Sequence, residues 1–470
     1  MTLAPLKLLP LLAALVAGCA SWSTPPAPVA ATPAELPARW AGVPPAAAAT
    51  IGSDWWSGYA DPLLPALIDE ALARNLDLQS ATATLARARA LRDVAAAGQG
   101  PSLGSGASAG RSRSNDRSAN SLRVGLDASW EADLFGAAAA ATAAAQADAD
   151  AAAATLQATR LAVAAETGLA YLQWQGARAQ QGVAAASLAS QQQTLDLVQV
   201  RQRAGLIGGL ELEQVSSGLE QARARVSALQ HTQAQAEHAL ALLLGRPPAA
   251  LADRLAKAPR RPAAAPALPT LPQPADLLQR RWDLRAAERR IAAQLASLQQ
   301  REAERRPRFT ISGNLALQAA TLSALGGSGA LVAGLAAAID WTLFDGGAGQ
   351  ARVAAQQAAL DGARIDWQAA VLAALRDVED ALSSLATSQQ RVDALQRAST
   401  AADEALRLAR LSYNAGLSDF LTLLDSERSA LSAADAWASA RTDLASSHVR
   451  LYKALGGGWT ADPTSTGIRP

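Results

Sequence analysis

From Leu122 onward, apolar and polar residues take turns: Leu122, Val124, Leu126, Ala128 and Trp130 alternate with Arg123, Gly125, Asp127, Ser129 and Glu131. Successive side chains of a strand point to opposite faces, so this alternation predicts a strand with one apolar and one polar face. The pattern returns where Phe309, Ile311, Leu315 and Leu317 alternate with Thr310, Ser312, Asn314 and Gln318. Partner strands are expected at about 102–111 and about 330–342, which alternate poorly, and the polar, charged stretch 111–121 predicts an exposed loop. Outside these segments the chain predicts helices at about 74–98, 137–204, 210–244, 283–306, 348–414 and 419–455. The two longest are free of proline and nearly free of glycine, so nothing in them breaks the hydrogen-bond ladder.

The elements come in two sets. Asn75-Leu76-Asp77-Leu78 aligns with Arg281-Trp282-Asp283-Leu284, and Pro101 with Pro307. Leu134-Phe135-Gly136 aligns with the Leu343-Phe344 and Gly346 of a second turn, Ala204-Gly205-Leu206 with Ala415-Gly416-Leu417, and Leu244-Gly245 with Leu455-Gly456. The offset stays between about 206 and 211 residues, which marks an internal structural repeat. The expected organisation is a leader at 1–18, an extended linker at 19–50 and a first repeat at 51–245 holding a hairpin at 101–135. A Pro/Ala-rich linker at 246–275, a second repeat at 276–456 with its hairpin at 307–344, and a tail at 457–470 complete it.

Composition narrows the class. Half the residues are apolar, but most of that share is alanine, which suits long, closely packed helices better than a large-residue core. Lys plus Arg is 42 against 41 for Asp plus Glu, so no field of one sign argues for nucleic acid. No strongly apolar run follows the leader, and membrane entry would have to be by strands of a closed barrel. The leader itself carries Lys7, an apolar core from Leu8 to Val16 too short to span a bilayer, and Val16-Ala17-Gly18-Cys19. That ending resembles the lipobox of bacterial lipoproteins. The resemblance implies diacylglycerol and N-palmitoyl on Cys19 as the only attached group, and Ala20 after it implies the outer membrane. A plain secretory signal with a chance cysteine is the alternative. With Cys19 so used, no thiol remains for disulfides or metals.

A 68-residue helix is roughly 100 Å long, several times the thickness of a bilayer. The two shorter helices of a repeat, laid end to end, total roughly 90 Å and match it. Each repeat therefore reads as a hairpin crowning one long rod and one two-piece rod. Four strands cannot close a barrel, since small membrane barrels have about eight, so oligomerisation is required and three chains would give twelve strands. Soluble hairpins on a helical protein would be the alternative without outer-membrane export.

Asp54-Trp55-Trp56 with Asp61-Pro62, the run LIDEALARNLDL at 67–78, WEADLFG at 130–136 and DWTLFDGG at 340–347 resemble the TolC-like outer-membrane efflux ducts, in their lipoprotein branch. So do AGLIGGLELEQV at 204–215 and YNAGLSDFLTLLDSERSAL at 413–431. The resemblance implies a mainly α fold, a homotrimer with an α-barrel of helical hairpins topped by a shared 12-stranded β-barrel. It implies a lipid-anchored outer-membrane protein reaching into the periplasm, a periplasmic adaptor and an inner-membrane pump of the resistance-nodulation-division type as partners, and no chemistry of its own. Asp425 matches the carboxylates that ring the narrowest part of the tunnel, and Tyr413 and Glu211 match residues that hold the tip closed. Gly205 and Gly416 serve the turns, while Trp130, Phe135, Trp341 and Phe344 mark barrel strand ends. Ser418 and Thr422 depart from the family, where one branch has an arginine and a second aspartate. No catalytic motif is present, and His231 and His238, seven apart, are a weak metal candidate. A type I protein-secretion duct and a non-conducting structural envelope lipoprotein are the alternative functions.

Overall fold

A computed structural model describes residues 36–41, 54–59, 61–114, 117–258 and 273–457. The leader, Cys19 and nearly all of the tail lie outside the described residues.

The helices recur in matched lengths. They are α1 (Leu63–Arg74), α2 (Leu76–Ala97), α3 (Ala137–Arg203), α4 (Gly209–Leu243), α5 (Ala252–Ala256), α6 (Leu277–Arg280), α7 (Trp282–Ala303), α8 (Ala348–Asn414) and α9 (Phe420–Ala454). Both α2 and α7 have 22 residues, α3 and α8 have 67, and α4 and α9 have 35. The strands are β1 (Ser102–Ser114), β2 (Arg117–Ala132), β3 (Arg308–Ala319) and β4 (Leu331–Asp340), antiparallel in the order β1-β2-β3-β4.

Three expectations are corrected. The stretch 111–121 is mostly strand: Arg111 pairs with Asn120 and Arg113 with Ser118, so the ladder closes only between Ser114 and Arg117. Backbone pairing needs no apolar face, so a hairpin continues into water where alternation fades. The linker at 246–275 is not extended throughout, because α5 interrupts it and Leu251, Leu255 and Ala258 are buried. In the linker at 19–50, Trp40 is buried and the Ala41 N–H donates to Glu379 Oε1 at 2.9 Å. The short helices α1 and α6, ahead of α2 and α7, were not expected.

The chain forms two compact units that do not follow the repeats. One consists of Leu85–Ala152 and Ala286–Gln368 and holds the sheet. Its helices pack through alanines such as Ala140, Ala144, Ala147, Ala293 and Ala296, which let backbones approach closely. The other takes in the described residues of Glu35–Thr84, Ala153–Arg285 and Ala369–Pro470. Its main core is aromatic and leucine-rich. Helix α1 contributes Leu64, Leu67, Ile68 and Ala71, spaced to share one face, and each of its large side chains is worth about 1.5–3 kcal/mol when fully buried. Trp55 stacks on Tyr452 with centroids 5.3 Å apart, and Asp61 Oδ2 accepts from Tyr171 Oη at 2.7 Å and from Gln175 Nε2 at 2.8 Å.

The ends of α4 and α9 are held alike. Asn75 Nδ2 donates to the Leu243 carbonyl at 2.9 Å, and Arg281 Nη1 donates to the Ala454 carbonyl at 3.2 Å. Each thus satisfies a carbonyl that the helix leaves without an internal donor.

Candidate functional site

Residues directly opposite in an antiparallel pair share a face, so the registers assign every strand position. Leu103, Leu122, Val124, Leu126, Leu315, Leu317, Leu331, Leu335 and Ile339 fall on one face. Many are open to the surroundings, Leu335 to 83%. Arg123, Asp127, Glu131, Thr310, Ser312, Asn314 and Gln318 fall on the other, where Arg123 and Asp127 form an ion pair. An exposed apolar face backed by a polar one is the construction of a barrel wall between lipid and water.

Aromatic rings gather at the helix-side margin of this sheet. Trp130 Nε1 donates to the Gln99 carbonyl at 2.9 Å, and Trp341 Nε1 to the Arg305 carbonyl at 3.2 Å. Each indole ties a strand end to the residues that precede its hairpin. Only Trp130 lies within a strand: β2 ends at Ala132 and β4 at Asp340, so Phe135, Trp341 and Phe344 follow the ladder rather than end it. The cause is local, since Leu134 N turns back to the Ala132 carbonyl at 2.9 Å. Phe135 sits 6.4 Å from Phe309 and under Arg306, while Phe344 is 90% exposed.

The second candidate region is the pair of turns joining α3 to α4 and α8 to α9. Gly205 has φ +70 and Gly416 φ +74, the left-handed conformation that only glycine adopts without strain. At the first turn Leu206 N donates to the Arg201 carbonyl and Gly205 N to that of Gln202, both at 2.9 Å. At the second, Leu417 N reaches Ser412 at 2.8 Å and Gly416 N reaches Tyr413 at 3.1 Å. Both are Schellman endings. The restarts differ. Helix α4 begins after Gly208 with no side-chain cap, whereas Asp419 Oδ1 accepts from Thr422 N at 2.8 Å. Hydrogen bonding from Thr422, side chain before backbone, holds the Asp419 carboxyl below its usual range.

Around these turns Leu195, Val198, Val215, Leu219, Phe420, Leu423 and Leu424 form a small core. Tyr413 is buried in it, its ring 6.0 Å from Phe420. The Arg201 guanidinium lies 4.2 Å from the Tyr413 ring centroid and donates to the Tyr413 carbonyl at 3.1 Å. The Tyr413 hydroxyl itself is buried without a hydrogen-bond partner among the described residues, and so is that of Ser418. Asp425 is exposed in the second turn of α9, and Glu211 is half-buried in the first turn of α4. Within this chain the structure therefore brings Tyr413 to Arg201, and not to Glu211 through its hydroxyl.

Sequence reasoning missed the polar centre beside this core. Glu427, buried on α9, accepts from Thr194 Oγ1 at 2.8 Å and from Arg410 Nη2 at 3.1 Å, and Arg410 Nη2 also donates to Ser190 Oγ at 2.6 Å. A carboxylate thus joins α3, α8 and α9. The signal was present: Glu427 interrupts the buried stripe of Phe420, Leu423, Leu424 and Ala430 at helical spacing. His231 and His238 are exposed, and among the described residues no group of three or more His, Cys, Asp and Glu is placed to hold a metal ion.

An exposed apolar sheet face, two 67-residue helices and two glycine turns are features expected of a channel subunit of the bacterial outer membrane. The model of the family described as outer membrane efflux protein matches residues 67–246 and 274–457, and the chain belongs to that family. It is 32% identical over 418 residues to outer membrane protein OprJ of Pseudomonas aeruginosa, covering 86% of each. To the pyoverdine export outer membrane protein OpmQ of Pseudomonas putida it is 31% identical over 432 residues, covering 87% of this chain and 88% of that one. The solved structure of the outer-membrane channel OprN superposes with a TM-score of 0.82 at 35% identity, covering 93% of this chain and 98% of that one. The fold is that of the TolC-like channels, and the chain is an efflux channel component rather than an enzyme.

Proposed function

We propose that three copies of this chain close a twelve-stranded barrel in the outer membrane and continue as a helical tunnel through the periplasm. The duct accepts small molecules from an inner-membrane pump of the resistance-nodulation-division type, coupled by a periplasmic adaptor. Diacylglycerol and N-palmitoyl groups on Cys19 anchor each subunit. The open sheet carries this reading: among the described residues the outer edges of β1 and β4 have no partner strand, while one face is apolar and exposed. Both edges would be unsatisfied in lipid, and pairing β4 of one copy with β1 of the next removes them. An even number of antiparallel strands per chain keeps that junction antiparallel.

The gate in this reading is the double turn. Asp425 is exposed and hence available to a shared axis, and three such carboxylates would repel anions and attract cations. Tyr413 and Glu211 hold the tip closed against neighbouring helices. Purified protein in planar bilayers tests the assignment: Asp425→Asn is expected to reduce cation preference, and unchanged selectivity would remove Asp425 from the constriction. Retention of [3H]palmitate by the wild-type chain and its loss in Cys19→Ala tests the anchor.

A further inference from the structure

The apolar face of the sheet ends differently at its two margins. Along β2 it runs from Ala132 to Leu122, about 33 Å of strand, or about 25 Å along the membrane normal at a tilt near 40°. That matches the height of a lipid-facing band. The helix-side margin is aromatic, with Trp130 and Phe309 on the face and Trp341, Phe135 and Phe344 alongside. The turn-side margin holds no aromatic residue.

Arginines stand there instead. Beyond the last β2–β3 pair, Leu122 with Ala319, β1 and β2 continue alone as a ribbon. Ala109 pairs with Leu122, so Arg111, opposite Asn120, and Arg113, opposite Ser118, lie on the same face as Leu103, Leu122 and Val124. Both are exposed. At two and four residues past Ala109, they stand roughly 5 and 10 Å beyond the hydrocarbon edge, which is the depth of the headgroup layer. Arg123, by contrast, lies on the polar face. The second hairpin supplies no counterpart, because 320–330 contains no charged residue.

We propose that Arg111 and Arg113 form a site for the phosphate groups of a phosphorylated glycolipid in the outer leaflet. Guanidinium groups bind phosphate through paired charge-assisted hydrogen bonds. The acyl chains of such a lipid lie against Leu103, Leu122 and Val124 directly below, a contact that free phosphate lacks. The site rests on the apolar face being the lipid-facing wall of the barrel.

Native mass spectrometry of the detergent-released full-length protein tests this, with bis-phosphorylated lipid A, its dephosphorylated form and inorganic phosphate as probes. Wild type is expected to hold the bis-phosphorylated lipid about tenfold more tightly than the dephosphorylated one. The R111A/R113A variant is expected to lose that gap. R111K/R113K keeps part of it, and R111S/S112R, which turns one guanidinium to the other face at constant charge, loses part of it; these two also serve if the alanine pair folds poorly. A gap that survives in R111A/R113A, or none in wild type, overturns the proposal. Displacement of the lipid by millimolar inorganic phosphate overturns its assignment to lipid. Bilayer conductance separates the two readings: a wild type that conducts normally without preferring the phosphorylated lipid sinks this site and leaves the duct standing.

Discussion

The two turns share a backbone and differ in chemistry. Each ends its long helix with the same pair of hydrogen bonds and a glycine at φ near +70, and each is followed by a 35-residue return helix. At matching positions, however, the second turn has Tyr413, Asp419, Asp425 and Glu427 where the first has Gln202, Gly208, Gln214 and Ser216. Three acids and the buried ring belong to one copy only. A sharp reversal of direction demands glycine wherever it occurs, so duplication preserves it. No such demand falls on the polar groups, so they are free to differ between the copies.

The largest expected effect breaks this asymmetry at Glu427. Removing the carboxylate in Glu427→Ala leaves the Arg410 guanidinium, Ser190 and Thr194 without their shared acceptor. Because Arg410 is partly exposed, the cost is set at about 2 kcal/mol, below the range for fully buried pairs. Hydrogen exchange of the first turns of α9 should then be about 30-fold faster, with local opening as the readout. Ser216→Ala, at the matching position of α4, should change exchange less than about twofold. Equal responses would mean that the turns are chemically equivalent after all.

How far the sequence exposes this structure depends on what each signal measures. Long helices are legible because an unbroken alanine-rich, proline-free run leaves the backbone few other options, and α3 and α8 begin and end within a residue or so of expectation. Helix α1 was hidden by Pro65, which falls in its first turn, where a missing N–H costs nothing. Helix α5 was hidden inside a Pro/Ala-rich run, where only the spacing of Leu251, Leu255 and Ala258 hints at burial. Alternation marks a strand only where its two faces meet different media, which is why the ribbon around Arg111 read as a loop. The turns were legible. The clasp of Arg201 on Tyr413 was not, because it joins residues 212 apart in sequence.

A smaller effect sharpens the shared half of the comparison. A Cβ added at Gly205 or Gly416 would meet nothing within 4 Å, so substitution there tests backbone conformation alone. Gly205→Ala and Gly416→Ala are each expected to cost about 1 kcal/mol, near the left-handed penalty for an L-residue. Amide exchange at the ends of α3 and α8 should accelerate about fivefold in both cases. A large inequality would show that one turn is strained by its surroundings and that the backbones are not equivalent.

The smallest effect concerns Glu70 in the first repeat, whose counterpart Asp276 accepts the Gln273 N–H at 3.0 Å and no other donor among the described residues. Burial pushes the Glu70 carboxyl up, but hydrogen bonds and charge from Arg246 and Arg254 outweigh it and leave the carboxyl below its ordinary range. A depressed carboxylate stabilises the fold fully above its unfolded value near 4.3 and loses that contribution as pH falls through the folded value. Solvent reaches both arginines, so the contribution is set at less than about 1 kcal/mol. On acidification from neutrality, the protection factor of amides in α5, which carries Arg254, should begin to fall as Glu70 is protonated. Glu70→Gln should exchange slightly faster at neutral pH and show a flatter acid response. If wild type and Glu70→Gln have parallel pH profiles, the two guanidinium groups are not what holds α5 to α1.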